Sequence, residues 1–252
     1  MSYCIVISVN EGLLFCSDSR NCLPDQQGMT HSKLFQFNQA GDRKFVILTA
    51  GNPELTQICM DQLYQDITNQ TACNLHTVNT IAEAADYVGA VYRSVVDNPE
   101  LNAATADLTF LLGGQIQGSR PRAVKIFSAG NNITSSRDTP FLQIGESKYG
   151  TPILERIINR QTSLDTAALC ALVSMSSTMK CDDSVGAPIE MILYQADSFQ
   201  LGNYHYFDEK NEFLQNLNKQ WAEKLLEAFN QMPPLAWASN WEKISDSSSG
   251  VF

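Results

Sequence analysis

Hydrophobic positions crowd the start of this chain. Ser2-Tyr3-Cys4-Ile5-Val6-Ile7-Ser8-Val9 and Leu13-Leu14-Phe15-Cys16-Ser17-Asp18-Ser19-Arg20 are dense or alternating apolar runs, separated by Asn10-Glu11-Gly12. Two such runs around a short glycine-containing turn predict a β-hairpin. Its first strand is expected to begin directly behind Met1, which would hold the chain start in a fixed place. After a polar loop over residues 21–32, Lys33-Leu34-Phe35-Gln36-Phe37 alternates like a strand and Lys44 to Ala50 forms a dense apolar one.

The period then changes. Pro53 and Glu54 suit a first helical turn, and Leu55, Ile58, Cys59, Leu63 and Ile67 share one helical face. Thr77 is expected to cap a second helix with the stripe Val78, Ile81, Ala85, Val88, Val91 or Tyr92, and Val95, with Pro99 just beyond it. Strand patterns resume at residues 107–114, 123–127 and 141–145, followed by helical stretches at 150–159 and 165–179. A strand over 188–194 closes this series, and Tyr204-His205-Tyr206 is expected to pair with it. Strands, two helices, strands, two helices, strands is the order of an α+β protein with two stacked sheets and a helix pair on each outer face. The tail adds a helix over 208–231, with Leu214, Leu217, Trp221, Leu225 and Ala228 in helical repeat. An arm over 235–252 carries Trp237 and Trp241. The expected organisation is one domain over 1–207, plus a helix and arm over 208–252 packed on that domain or on a neighbouring subunit.

Composition narrows the function. The net charge of −10 and the lack of a basic cluster argue against nucleic acid and against an anionic membrane surface. With 44% hydrophobic residues, 252 residues can bury a full core. The seven cysteines form no CxxC pair and mostly sit in apolar runs, as reduced thiols do. No signal peptide and no apolar run of membrane-spanning length is visible, so a cytoplasmic location is expected. The three histidines are scattered, and Asp182-Asp183 reads as a solvated turn, so no metal site is expected. Leu112-Gly113-Gly114-Gln115 lacks the spacing of a nucleotide fingerprint, and no cofactor is expected.

Candidate chemistry starts at Ser2. If Met1 is removed, the α-amine and hydroxyl of Ser2 lie side by side, as an N-terminal nucleophile requires. An α-amine has a reference pKa of about 7.7–8.0, close to where a base works at neutral pH. His31, His76 and His205 lack a supporting motif, and no GxSxG elbow is present. A lysine beside the nucleophile, such as Lys33, would favour the alkoxide, and once buried it would need a carboxylate such as Asp18. A retained Met1 would block the amine and leave Ser2 without its base.

The N-terminal hairpin, Ser17-Asp18-Ser19-Arg20, Ser32-Lys33-Leu34-Phe35 and Leu48-Thr49-Ala50-Gly51-Asn52 together resemble the proteasome β-subunit family. Phe110 to Gly114, Phe141 to Gly150 and Ser184-Val185-Gly186-Ala187-Pro188-Ile189 narrow the resemblance to the bacterial proteasome-like Anbu family, over Ser2 to about Phe229. The resemblance implies a four-layer αββα sandwich of the N-terminal-nucleophile hydrolase type. It also implies peptide-bond cleavage through an acyl-enzyme on Ser2, with Asp18 as orienting acid, Lys33 as activating cation and the Gly51 N–H as oxyanion donor. Arg20, His31, Phe35, Thr49 and Pro53 fall where the family builds its substrate pocket. Ser147 or Glu146, and Ser184 with Asp182 or Asp183, fall where it places supporting hydroxyls and an acid.

The departures are a serine where threonine is usual, Gly145-Glu146-Ser147 in place of Gly-Ser-Gly, and Cys181 three residues before Ser184. The implied partners are a peptide or unfolded protein and other copies of the chain, in an open spiral of about a dozen subunits. ATP use would have to come from a separate, unidentified unfoldase. Two other readings stand beside this one: an inactive oligomeric scaffold of the same fold, and an amidase acting on a small molecule.

Overall fold

The computed structural model describes residues 2–20, 30–39, 41–98, 107–200, 202–237 and 242–243. Met1, Cys22, Pro99, Trp241 and most of the arm after Trp237 lie outside the described residues. In chain order, β1 (Tyr3–Val9), β2 (Gly12–Asp18), β3 (Leu34–Gln39) and β4 (Arg43–Gly51) precede α1 (Pro53–Thr68) and α2 (Ile81–Val96). Then come β5 (Leu108–Ile116), β6 (Arg122–Ile126), β7 (Asn132–Thr134) and β8 (Phe141–Gly145), followed by α3 (Thr151–Ile157) and α4 (Leu164–Cys181). β9 (Ile189–Gln195), β10 (Asn203–Phe207) and α5 (Glu212–Asn230) complete the series.

The strands form two five-stranded sheets, ordered β10-β9-β2-β1-β8 and β3-β4-β5-β6-β7. The hairpin sits at the centre of the first, so β1 and β2 are buried along their whole length. A strand covered on both faces reads as a nearly continuous apolar run, as these two do. Cys4, Val6, Leu13, Phe15, Val46 and Leu48 meet between the sheets. Phe45, Ile47, Phe110 and Leu112 point the other way and pack with Leu55, Leu63, Val88 and Tyr92 of α1 and α2. The switch from Val46 to Ile47 to Leu48 is the period-2 alternation of a strand sealed on both faces. On the far side, α4 packs on β1, β2 and β9, and the Tyr3 hydroxyl bonds the Ser174 hydroxyl at 2.8 Å. The layers are helix, sheet, sheet, helix, the expected αββα sandwich.

Several local expectations are corrected. Gly12 opens β2 opposite Val9 instead of lying in the turn. Its φ is +152°, and a Cβ there would come 2.0 Å from the Tyr194 carbonyl oxygen. Thr77 does not cap α2. Thr80 does, accepting from the Glu83 N–H at 3.0 Å, while Glu83 reaches back to the Asn79 N–H at 2.8 Å. Thr77 instead accepts from the Asn74 N–H within the preceding turn. The three-residue β7 had no sequence signal, and Ile157 of α3 is exposed.

Contacts divide the chain into two compact units, Met1–Glu209 and Lys210–Phe252. In the second, Asn211 caps α5 by accepting from the Leu214 N–H. Leu214 is buried, whereas Leu225 of the same predicted stripe is exposed, as are Phe213, Phe229 and Trp237.

Candidate active site

The end of the hairpin positions the first functional groups. Asp18 closes β2, fully buried, and Lys33 immediately precedes β3. The Lys33 ammonium lies 2.9 Å from Asp18 Oδ2 and also donates to the Arg20 carbonyl oxygen at 3.1 Å. Asp18 Oδ1 accepts the Tyr3 N–H at 2.8 Å, and Oδ2 the Gly186 N–H at 3.5 Å. Burial pushes the Asp18 carboxyl above its ordinary range, opposed by the Lys33 charge and by the hydrogen bonds from Lys33, Tyr3 and Gly186.

Ser2 is held on both sides. Its carbonyl oxygen accepts the Glu146 N–H at 2.8 Å, and the next N–H along the chain is the one bound to Asp18. Gly145 makes the first contact achievable: its φ is +76°, and a Cβ there would lie 1.8 Å from the Ser2 oxygen. Two backbone anchors therefore flank Ser2, which is 8% exposed.

Ser2 and Lys33 line one open cavity of about 520 Å³ with Arg20, His31, Thr49, Gly51 and Pro53. Gly51 ends β4 at a φ of +137°. Phe35 is corrected: it is absent from the cavity lining and packs against the core beneath α1 and α2. Its neighbour Leu34 faces the space between the sheets, and alternation sends Phe35 to the opposite face of β3. Ser32, Ala50, Thr56, Asp107, Thr109 and Gly145 also line the cavity without having been singled out. Asp107 stands at the foot of β5 opposite the strand end that holds Gly51; only the pairing of β4 with β5 brings it there.

The supporting residues divide in the same way. Ser184 bonds Asp182 Oδ1 through both its hydroxyl and its N–H, and these bonds hold the Asp182 carboxyl below its ordinary range. Asp183 enters through its backbone, its carbonyl oxygen accepting from Arg20 at 3.0 Å. The other Arg20 nitrogen pairs with Glu209 at 3.0 Å. Glu146 is buried and lies 3.4 Å from the exposed Lys148 ammonium. The Ser147 carbonyl oxygen accepts from the Thr151 N–H at 2.9 Å, and the Thr151 hydroxyl also donates to Gln143. Gln143 in turn donates to the Tyr3 hydroxyl, tying this loop to the strand behind Ser2.

Chemically, the cavity gathers in one lining Ser2, the cation of a buried ion pair and the strand end at Gly51. That suits attack on a carbonyl whose developing charge needs fixed donors. Among the described residues, no group of three or more His, Cys, Asp or Glu is placed to hold a metal ion, and no helix is long and apolar enough to cross a membrane.

No family model and no curated protein matches the sequence. Solved structures do. Anbu (ancestral beta-subunit) from Yersinia bercovieri is 36% identical, with 94% of this chain and 100% of that chain covered and a TM-score of 0.88. The helical assembly of the Anbu complex from Pseudomonas aeruginosa gives the same identity, coverage and score. An Anbu (Gly-1) mutant from Hyphomicrobium sp. strain MC1 is 33% identical over 93% of this chain and 99% of that chain, with a TM-score of 0.87.

Proposed function

The chain belongs to the Anbu family of proteasome-like subunits, and on that basis we propose that it is an N-terminal-nucleophile peptidase subunit acting through Ser2 once Met1 is removed. One observation carries the proposal: Ser2 and Lys33 share a cavity, and Lys33 is paired at 2.9 Å with the aspartate that anchors the residue after Ser2. In the reaction, the Ser2 hydroxyl adds to the substrate carbonyl while the α-amine takes its proton. The C–N bond breaks, the departing amine receives that proton, and water hydrolyses the resulting ester. Lys33 supplies positive charge beside the hydroxyl, and Asp18 keeps that cation charged and oriented. The Gly51 N–H would stabilise the oxyanion, with Arg20, His31, Thr49 and Pro53 forming the side-chain pocket. Ser147, Asp183 and Ser184 would support the site from the flanking loops, with Asp182 as the hydroxyl partner of Ser184.

Self-association is part of the same reading. It is supported by the helical assembly of the Pseudomonas aeruginosa relative and by the exposed apolar side chains of the C-terminal unit. A cytoplasmic site of action is supported by the free cysteines, four of them buried.

The test uses a peptidyl epoxyketone. The Ser2 hydroxyl adds to the ketone and the α-amine opens the epoxide, so the protein gains the full probe mass with no leaving group. Protein whose N-terminal peptide starts at Ser2 should gain one probe per chain, and Ser2→Ala none. A free Ser2 that never forms the adduct would leave assembly, not hydrolysis, as the function.

A further inference from the structure

The charges of the cavity do not balance. Lys33 is neutralised by Asp18 at 2.9 Å. Arg20 is drawn toward the 183–186 loop, donating to the Asp183 carbonyl oxygen and pairing with Glu209 at 3.0 Å. A Cβ on Gly186 would meet the Arg20 guanidinium at 2.3 Å, so the head group lies flat against that glycine. Asp107 is different. It lines the cavity and is exposed, and among the described residues its carboxylate has no ion pair and no hydrogen bond. Its backbone is engaged, the carbonyl oxygen accepting the Asn52 N–H at 2.9 Å. That bond fixes Asp107 beside Gly51, against the wall where the scissile carbonyl would lie. Thr109, two residues on, lines the same cavity.

We propose that Asp107 is a specificity residue, and that the cavity takes a substrate whose side chain on the acyl side of the cleaved bond is basic, lysine or arginine. An uncompensated carboxylate in a concave site attracts a cation and repels an acid. A volume of about 520 Å³ admits a long side chain. The small floor residues Thr49, Ala50 and Thr56 leave room for its methylene stem. A charge-assisted hydrogen bond to Asp107 would anchor its head. This deepens the peptidase reading above and rests on it.

Three epoxyketones identical but for Lys, Leu or Glu beside the electrophile separate the two claims. On protein starting at Ser2, labelling followed by intact mass should run Lys, then Leu, then Glu, with Lys about tenfold ahead of Leu. Asp107→Asn should collapse the Lys-to-Leu ratio about tenfold, and Asp107→Lys should move the preference to Glu. A ratio unchanged by Asp107→Asn overturns the inference while leaving the peptidase reading intact. If no probe reacts, the peptidase reading has failed. Binding then decides the specificity: fluorescent Lys and Leu peptides titrated into Ser2→Ala protein should differ in affinity, and the difference should vanish in Ser2→Ala/Asp107→Asn. Equal affinities for the two peptides would overturn the inference there as well.

Discussion

Gly51 and Asp107 meet backbone to backbone. A Cβ on Gly51 would stand 2.0 Å from the Asp107 carbonyl oxygen, the same oxygen that accepts the Asn52 N–H. With φ at +137°, Gly51 tolerates neither the side chain nor the conformation a side chain prefers. Gly51→Ala should therefore cost about 1–3 kcal/mol in urea unfolding and suppress adduct formation. Gly41, at φ +74° with nothing within 4 Å of a Cβ, isolates the conformational cost alone. Equal losses in Gly41→Ala and Gly51→Ala would refute the close approach.

The Lys33 and Asp18 pair separates stability from chemistry. Lys33→Ala leaves a fully buried carboxylate facing only the Tyr3 and Gly186 N–H groups. The expected loss is about 3–5 kcal/mol, together with loss of labelling. Lys33→Met/Asp18→Asn should regain most of the stability and none of the labelling. Recovered labelling in the double variant would remove Lys33 from the proposed mechanism.

Lys44 predicts a pH dependence. It is 1% exposed, its ammonium meets Gln36 Oε1 at 3.3 Å, and burial lowers it from 10.5 to about 8. A folded value below the unfolded one favours the neutral amine in the fold. The stability this confers is complete above about 10.5 and is lost as pH falls through about 8. Lys44→Met should thus be more stable than the parent at pH 7, with the gap closing between pH 8 and 10 in thermal melts. A gap that stays constant over that window would contradict the assignment.

Tyr3 carries the strand that follows Ser2. Its hydroxyl joins Ser174 at 2.8 Å and accepts from Gln143, which holds Thr151. Burial pushes the phenol far above its ordinary range, so it stays protonated. Tyr3→Phe should cost about 1–2 kcal/mol by leaving buried polar partners unmatched. It should also slow labelling by loosening the 146–151 loop. Undiminished unfolding free energy would show the network to be dispensable.

Much of the architecture was legible. The β1–β2 hairpin, the Pro53 start of α1 and the strand at Phe141–Gly145 follow from short-range patterns, because alternation and first-turn preferences are local. Legibility failed where two local solutions competed. Thr77 and Thr80 are both plausible caps, and only Thr80 has Glu83 three residues on, donating its N–H to the cap while its carboxylate accepts the Asn79 N–H. It failed again at Phe35, where a resemblance assigned the pocket but the ring packs against the core with α1 and α2. On α5, helical spacing predicted a stripe, yet Leu225 is exposed, since spacing shows which residues share a face and not what covers it.

Most elements and their layering were readable from local pattern, and the family from short motifs spread along the chain. Beyond the Lys33–Asp18 pair, the neighbours that the charged groups meet came from the tertiary structure alone. Asp18 reaches Gly186, Arg20 reaches Glu209, and Asp107 arrives beside Gly51 through sheet register and loops that cross the molecule. Electrostatic and hydrogen-bond energies act over a few ångströms of space, and distance along the chain does not measure that space.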